Sequence, residues 1–294
     1  MAGADGPGPM RIRLLGTGSG DGWPNPWCRC RSCAWARRTP GAARGQTCVL
    51  VDDTLLIDTG NVRNAAVPLD AVRTVLFTHA HPDHADPQPL FWRYCAFKHA
   101  GRVAPLEIAG PPAALEVCRP WVDPEGPFTF TPLRAGQRQR LASGHTVRAL
   151  PARHWPGDPH VGPALLYAVD ERLLAAWDTG APLPPADHPA APGYDVVLLE
   201  CNDGLRPAYP EHHNLQAFAG TVGGLRARGA IDDHTQVVAV SLGCGNPPGP
   251  ELDAILARCG AAAHPDGTVL TAPPRPRPAR QGTGRAAPGA AFRR

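Results

Sequence analysis

Residues 74–86 read TVLFTHAHPDHAD. An apolar run ends in a polar loop that carries His79, His81, Asp83 and His84. A loop leaving a strand end can turn alternate side chains inward. His79 and His81 are then placed to hold one metal ion, with Asp83 and His84 facing another. Imidazole and carboxylate together suit Zn, Mn or Fe. Two such ions about 3.5–4 Å apart can share a hydroxide and clamp a phosphoryl group. The competing reading is a polar loop with incidental histidines. With 12 histidines in 294 residues, a chance H-x-H-x-D-H is on the order of 10⁻³, which makes the motif specific.

Outward from this stretch, short β-rich runs predict strands at 10–15, 48–51, 54–58, 73–78, 146–150, 164–169, 172–177, 195–199 and 236–241. Helical spacing predicts helices at 88–99, 112–119, 214–228 and 249–259. Strands separated by helices, with several hairpin-like pairs, predict an α/β layered fold with a mixed sheet. The length fits one large domain or two small ones. No apolar run approaches the ~18 residues that span a bilayer, and no charged-then-apolar leader opens the chain. A cytoplasmic protein without membrane partners is expected. The net charge of +3 is uneven: six arginines and no acid follow residue 270, which leaves −3 for residues 1–270. A mildly acidic body argues against nucleic acid as a partner. Residues 1–9 and 271–294 lack hydrophobic periodicity and are expected to be disordered extensions around a domain at 10–270.

Together with TLLIDTG (54–60) and LLAAWDTG (173–180), the histidine stretch resembles the metallo-β-lactamase-fold hydrolases over about residues 10–270. The resemblance implies a four-layer αββα sandwich with a metal centre at one edge. It implies that His79, His81 and a later histidine hold the first ion. Asp83, His84 and a last histidine would hold the second, and an aspartate would bridge the two. The later histidine is read as His154, in RALPARHW at a strand end, with His160 of the same loop as the alternative. The bridge is read as Asp178 in AAWDTG, against a turn-forming Asp before Thr-Gly. Asp58 is read as supporting the metal loop without binding metal.

A second signal is GTGSGDGWPNPWCRCRSCAWARR (16–38), in which Cys28, Cys30 and Cys33 have the C-x-C-x₂-C spacing of a metal knuckle. This stretch resembles one subgroup, the carbon–phosphorus-lyase accessory phosphodiesterases, which hydrolyse cyclic phosphodiesters. There the fourth ligand of a structural zinc stands three residues after the last catalytic histidine. The matching VVAVSLGCGNPP (237–248) puts Cys244 at the zinc position and Ser241 where the histidine ligand is expected. A Cys28, Cys30, Cys33 and Cys244 site is implied, with packed free thiols as the alternative. Ser241 implies a weak or lost second ion, unless His234 or His264 substitutes through space. Cys48, Cys95, Cys118, Cys201 and Cys259 are read as free thiols. In PEHHNLQAF (210–218), His212 fits the subgroup's H-x-x-L histidine, which contacts phosphate or protonates the leaving oxygen. His213 stands beside it as the alternative, and a plain helix entry capped by Asn214 is the bland reading. The glycine-rich 16–22 loop lacks the Lys-Ser/Thr of a phosphate-cradling loop.

The expected function is a metal-dependent phosphodiesterase acting on a small diester, open-chain or cyclic, through a metal-bound hydroxide. Asp83 and His212 are its catalytic residues. Its cofactors are two divalent ions (Zn or Mn) and one structural Zn. An ester or lactone hydrolase would use the same centre, and a non-catalytic or single-metal relative is the reading that Ser241 favours. A nuclease is disfavoured by the acidic body. GWPNP, HHNL and GNPP also resemble a hydrolase module joined to adenosylcobinamide kinase, which would place the chain near cobalamin salvage. A homodimer is left open.

Overall fold

The computed structural model describes residues 8–273 apart from 102, 156, 157, 159, 184–192 and 208. Two seven-stranded mixed sheets face each other. The first is built from β1 (Met10–Gly16), β2 (Cys48–Val51), β3 (Leu55–Ile57), β4 (Thr74–Leu76), β5 (Leu106–Gly110), β6 (Phe128–Pro132) and β14 (Val269–Ala272). Its order is β14-β1-β2-β3-β4-β5-β6. The second is built from β7 (Arg138–Arg140), β8 (Thr146–Pro151), β9 (Leu165–Val169), β10 (Leu173–Ala176), β11 (Val196–Glu200), β12 (Gln236–Val240) and β13 (Ala261–Ala263), in the order β13-β12-β11-β10-β9-β8-β7. In each sheet three strand pairings are antiparallel and three are parallel.

Period-2 alternation divides the side chains among three layers of core. Val196 and Leu198 enter the core between the sheets with Ile12, Ile57 and Tyr167. Val197 and Leu199 face the other way, onto α1 (Arg31–Arg38), α4 (Leu215–Ala227) and α5 (Gly249–Ala257). Leu50, Leu56, Val75 and Ile108 of the first sheet cover α2 (Gln88–His99) and α3 (Pro112–Cys118). The result is the expected αββα sandwich. Because β11 and β12 are buried on both faces, they read as continuous apolar runs. Helix α4 starts where the Asn214 side chain accepts a hydrogen bond from the Ala217 N–H at 2.8 Å, and it buries Phe218, Val222 and Leu225 at helical spacing.

Two turns close hairpins β2–β3 and β9–β10 with both central residues at positive φ, Asp52–Asp53 and Asp170–Glu171. This is the mirror-image turn whose twist matches paired strands. At the second hairpin, Arg172 is 5% exposed and its Nε donates to Asp195 Oδ2 at 2.6 Å. Its remaining donors reach the carbonyls of Gly8, Ala272 and Pro273. No helix among the described residues is long and apolar enough to cross a membrane. The extensions expected at 1–9 and 271–294 lie almost wholly outside the described residues, although β14 runs to Ala272.

Candidate metal centre

Strand direction gathers the candidate residues. The strands β1, β3 and β4 of the first sheet run the same way, as do β8, β10, β11 and β12 of the second. The loops that leave their C-terminal ends carry Ser19–Asp21, Asp58, His79–His84, His154, Asp178, Asn202 and Ser241. The sheets are pinned together beside this edge: the Tyr167 hydroxyl donates to the Phe77 carbonyl at 2.8 Å and the Leu165 N–H to the Thr78 carbonyl at 2.9 Å. A wide-open backbone is required where the loops touch. A Cβ on Gly20 would lie 2.5 Å from Asp83 Oδ2, and one on Gly60 would lie 1.9 Å from the Asp83 carbonyl. The glycine-rich loop thus passes against the histidine loop.

His79, His81 and His154 bring one ring nitrogen each within 4.8 Å of the others. His79 Nε2 lies 2.9 Å, and His154 Nε2 3.1 Å, from His81 Nδ1. The tautomer of His79 follows from its neighbours. The Thr78 hydroxyl donates to Asp58 Oδ2 at 2.8 Å, so its oxygen accepts from His79 Nδ1 at 3.0 Å. The Nε2 lone pair therefore faces the cluster. Burial holds the pKa of His79 well below the usual histidine value and lowers those of His81 and His154 as well. Three neutral imidazoles converging on one point are what a divalent cation requires.

The second group is His79, His84 and Asp178. His84 Nδ1 donates to Asp58 Oδ2 at 2.7 Å, while Nε2 faces Asp178 Oδ2 at 2.7 Å and Asp83 Oδ2 at 3.0 Å. Burial opposes charge on this ring, but Asp83, Asp178 and Asp58 outweigh it and hold its pKa well above normal. A nitrogen that already gives its other proton to Asp58, and looks at two carboxylates, calls for a positive charge between them. A metal ion supplies that charge, so the residues fit the group. Asp58 is buried, at φ 59°, and accepts from the Thr78 N–H, the Thr78 hydroxyl, His84 and the Trp177 indole N–H. It orients the histidine loop and, through Trp177, its neighbour Asp178.

Ser241 does not point a donor at this centre. It is 2% exposed, and its hydroxyl lies 3.0 Å from the Thr47 hydroxyl, whose oxygen also accepts from the Ser241 N–H. His234 is exposed at the opposite end of β12, and His264 is half-buried beside Arg44. Neither joins a ligand group among the described residues. The structure thus brings Asp83, His84 and Asp178 together beside His79, with no imidazole from the loop after β12 among the described residues.

His154, not His160, enters the cluster; His160 is exposed. Of the adjacent pair, His212 faces the centre. Its Nδ1 donates to Glu200 Oε2 at 2.8 Å, and its ring lies 5.1 Å from that of His154. Burial opposes protonation of His212, but Glu200 and then Asp178 raise its pKa to about 9. His213 is fully buried between the Thr179 carbonyl and the Thr221 hydroxyl. Glu200 was missed in the sequence, although an acid closing the apolar run 196–199 was the available signal. A cavity of about 160 Å³ opens over the cluster, lined by His81, Asp83, His154, Asp178 and His212, and also by Ser19, Asp21, Trp155 and Asn202, which sequence reasoning did not single out.

On the knuckle, Cys28, Cys33 and Cys244 bring their sulfurs within 4.8 Å of one another. Cys30 caps α1, its sulfur accepting from the Cys33 N–H at 3.4 Å. The backbone N–H of Cys30 beside it brings the Cys28 thiol down to about 7, whereas burial pushes Cys33 up to about 12. Arg206 Nη2 donates to Cys244 Sγ at 3.1 Å.

A four-layer sandwich with histidines and aspartates gathered at one sheet edge defines a metal-dependent hydrolase architecture. The family model described as "Beta-lactamase superfamily domain" matches residues 53–231, and the chain belongs to that superfamily. Its fold is similar to a diphosphatase of the PhnP family, at 20% identity over 90% of this chain and 97% of the other (TM-score 0.67). It is also similar to the metallo-β-lactamase-fold protein YhfI of Bacillus subtilis, at 18% identity over 90% and 99% (TM-score 0.65). Zn²⁺-bound PqqB of Methylobacterium extorquens matches at 18% identity over 88% and 99% (TM-score 0.65). A search of curated proteins gave no match.

Proposed function

We propose that this protein is a metal-dependent phosphodiesterase for a small diester. The observation that carries the reading is His212, held by Glu200 in the wall of the cavity that contains the histidine–aspartate cluster. The Glu200 carboxylate, 2.8 Å from Nδ1, favours the protonated form of His212. Its Nδ1 proton is engaged by Glu200, so Nε2 is free to give a proton to a departing alkoxide. His79, His81 and His154 would hold one divalent ion, and Asp83, His84 and Asp178 a second, weaker one. Bound there, the ions would supply Lewis acidity toward a phosphoryl oxygen and activate water as nucleophile. Asp83 keeps its carboxylate ionised beside His84, and Asp178 stands between the two groups. Cys28, Cys33 and Cys244, with Cys30 beside them, would hold a structural zinc that ties α1 to the loop after β12.

The test is hydrolysis of bis(p-nitrophenyl) phosphate by protein loaded with Mn²⁺ or Zn²⁺. His79→Ala is expected to abolish turnover, and His212→Gln to lower kcat by about 10²–10⁴-fold. Turnover unchanged in His79→Ala, or lactone hydrolysis far exceeding diester hydrolysis, would overturn the reading.

A further inference from the structure

Eight large apolar side chains are substantially exposed among the described residues, and one of them stands inside the catalytic cavity. Trp155 directly follows His154, is 45% exposed and lines the cavity with His81 and His212. Its ring meets the His81 ring edge-on, at 6.2 Å between centroids and 84° between planes. That contact fixes the indole's attitude while leaving much of it open to solvent. The backbone at Trp155 has φ 41°. Asp58 and Asp178 share this left-handed region, which aspartate visits at small cost, but for a bulky aromatic residue it is a true outlier. Strain of this kind clusters where surroundings impose a conformation for a purpose. An exposed indole also gives up the favourable burial that tryptophan normally finds. Trp155 belongs to none of the three core clusters among the described residues.

We infer that Trp155 is a stacking platform that selects phosphodiesters carrying a flat aromatic group, such as a nucleobase-like heterocycle, beside the phosphate. A ring seated on the indole would lie next to the histidine–aspartate cluster, as a diester bearing that ring on its retained alcohol requires. Two further exposed aromatics lie within a few residues, in sequence, of segments that line the cavity. Trp27 is 94% exposed, two residues from Asn25, whose side chain holds Asp21 of the cavity wall. Tyr209 is 58% exposed in the turn whose carbonyl accepts from the His212 N–H. This inference rests on the phosphodiesterase reading for its reaction, but not for its binding.

The experiment compares two diesters with the same leaving group, p-nitrophenyl phenyl phosphate and p-nitrophenyl methyl phosphate, with metal-loaded protein. The ratio of their kcat/KM values should favour the phenyl ester in the parent. It should fall about 5- to 150-fold in Trp155→Leu, the range that aromatic stacking supplies, and Trp155→Phe should keep most of it. A ratio unmoved by Trp155→Leu overturns the inference. Calorimetric titration with phenyl-, cyclohexyl- and methylphosphonate gives a second readout that needs no turnover. Tighter binding of the phenyl compound, lost in Trp155→Leu, supports stacking. Cyclohexyl binding as tight as phenyl, or phenyl as weak as methyl, overturns it. If neither diester is hydrolysed, the phosphodiesterase reading falls and the phosphonate series still decides the role of Trp155.

Discussion

Replacing Asp58 by asparagine tests how the metal centre is organised. The carboxylate accepts four hydrogen bonds in a fully buried setting: 2.9 Å from the Thr78 N–H, 2.8 Å from its hydroxyl, 2.7 Å from His84 and 2.7 Å from Trp177. Three of these converge on Oδ2, so an asparagine must turn its oxygen there and present its NH₂ to the Thr78 N–H. One donor is left unsatisfied, at about 1–3 kcal/mol, and the other bonds lose their charge assistance, at roughly 1 kcal/mol each. Removing a buried charge recovers part of that loss, so a net destabilisation of about 2–4 kcal/mol is expected. At roughly 2–4 °C per kcal/mol for a domain of this size, Tm falls by about 4–16 °C. Because His84 loses the partner that fixes its tautomer, affinity of the cluster for Zn²⁺ should fall about 10- to 100-fold. Competition against a chromophoric chelator measures this, and the difference from the parent cancels the contribution of the cysteine site. Affinity within twofold of the parent, with Tm within 2 °C, would refute the role of Asp58 as organiser of the site.

Metal analysis of protein purified without chelator is expected to give about two tightly held ions per chain, one in the histidine cluster and one among the cysteines. Ser241→His should bring the count toward three and raise diester turnover; a parent count of three would show that the second position is complete without the ring. Arg172→Met removes one partner of the buried Asp195 and the donor to the carbonyls of Gly8, Ala272 and Pro273, which should cost about 3–5 kcal/mol, read as a large drop in Tm; a drop under 2 °C would contradict it. Asp170 is held below the usual carboxylate value: burial pushes it up, but the bonds from His145 and the Thr146 N–H outweigh burial. Its stabilisation is therefore present above the unfolded value of about 3.9 and lost as pH falls through the lower folded value. The Tm deficit of Asp170→Asn should be largest near neutral pH and should close at acid pH; a deficit constant from pH 7 to 3 would argue against that linkage.

All nine strands read from sequence are present, because a strand buried on both faces is written as an apolar run. Five strands were missed: Arg138–Arg140, the three alanines 261–263, Phe128–Pro132 and Val269–Ala272 lie on or beside sheet edges with little or alternating burial, and Leu106–Gly110 is buried throughout, but Glu107 and the closing Ala-Gly break its apolar run. Helix α1 was hidden because its register is interrupted by the cysteine ligand spacing. The histidine motif was legible because its ligands are adjacent in sequence. The choice of His154 over His160, and of His212 over His213, depended on which ring the fold turns inward. Asp58 and Glu200 act through partners 12 to 119 residues away, a relation that spacing does not encode; the family resemblance pointed to Asp58 and not to Glu200. Trp155 carried no signal at all, since a lone tryptophan beside a histidine reads as core.

The clasp made by Arg172 has a practical consequence. It sits in the turn at the N-terminal end of β10, the edge away from the metal centre, and it grips the chain at Gly8 and at Ala272–Pro273 together. Both ends of the sandwich thus leave from one place, remote from the cavity. A fluorescent reporter or a second enzyme joined directly at Gly8 or Pro273 would start from that rear corner, away from the mouth. Joining the two ends to each other by a short bridge, and reopening the chain elsewhere, is a feasible circular permutation of this scaffold.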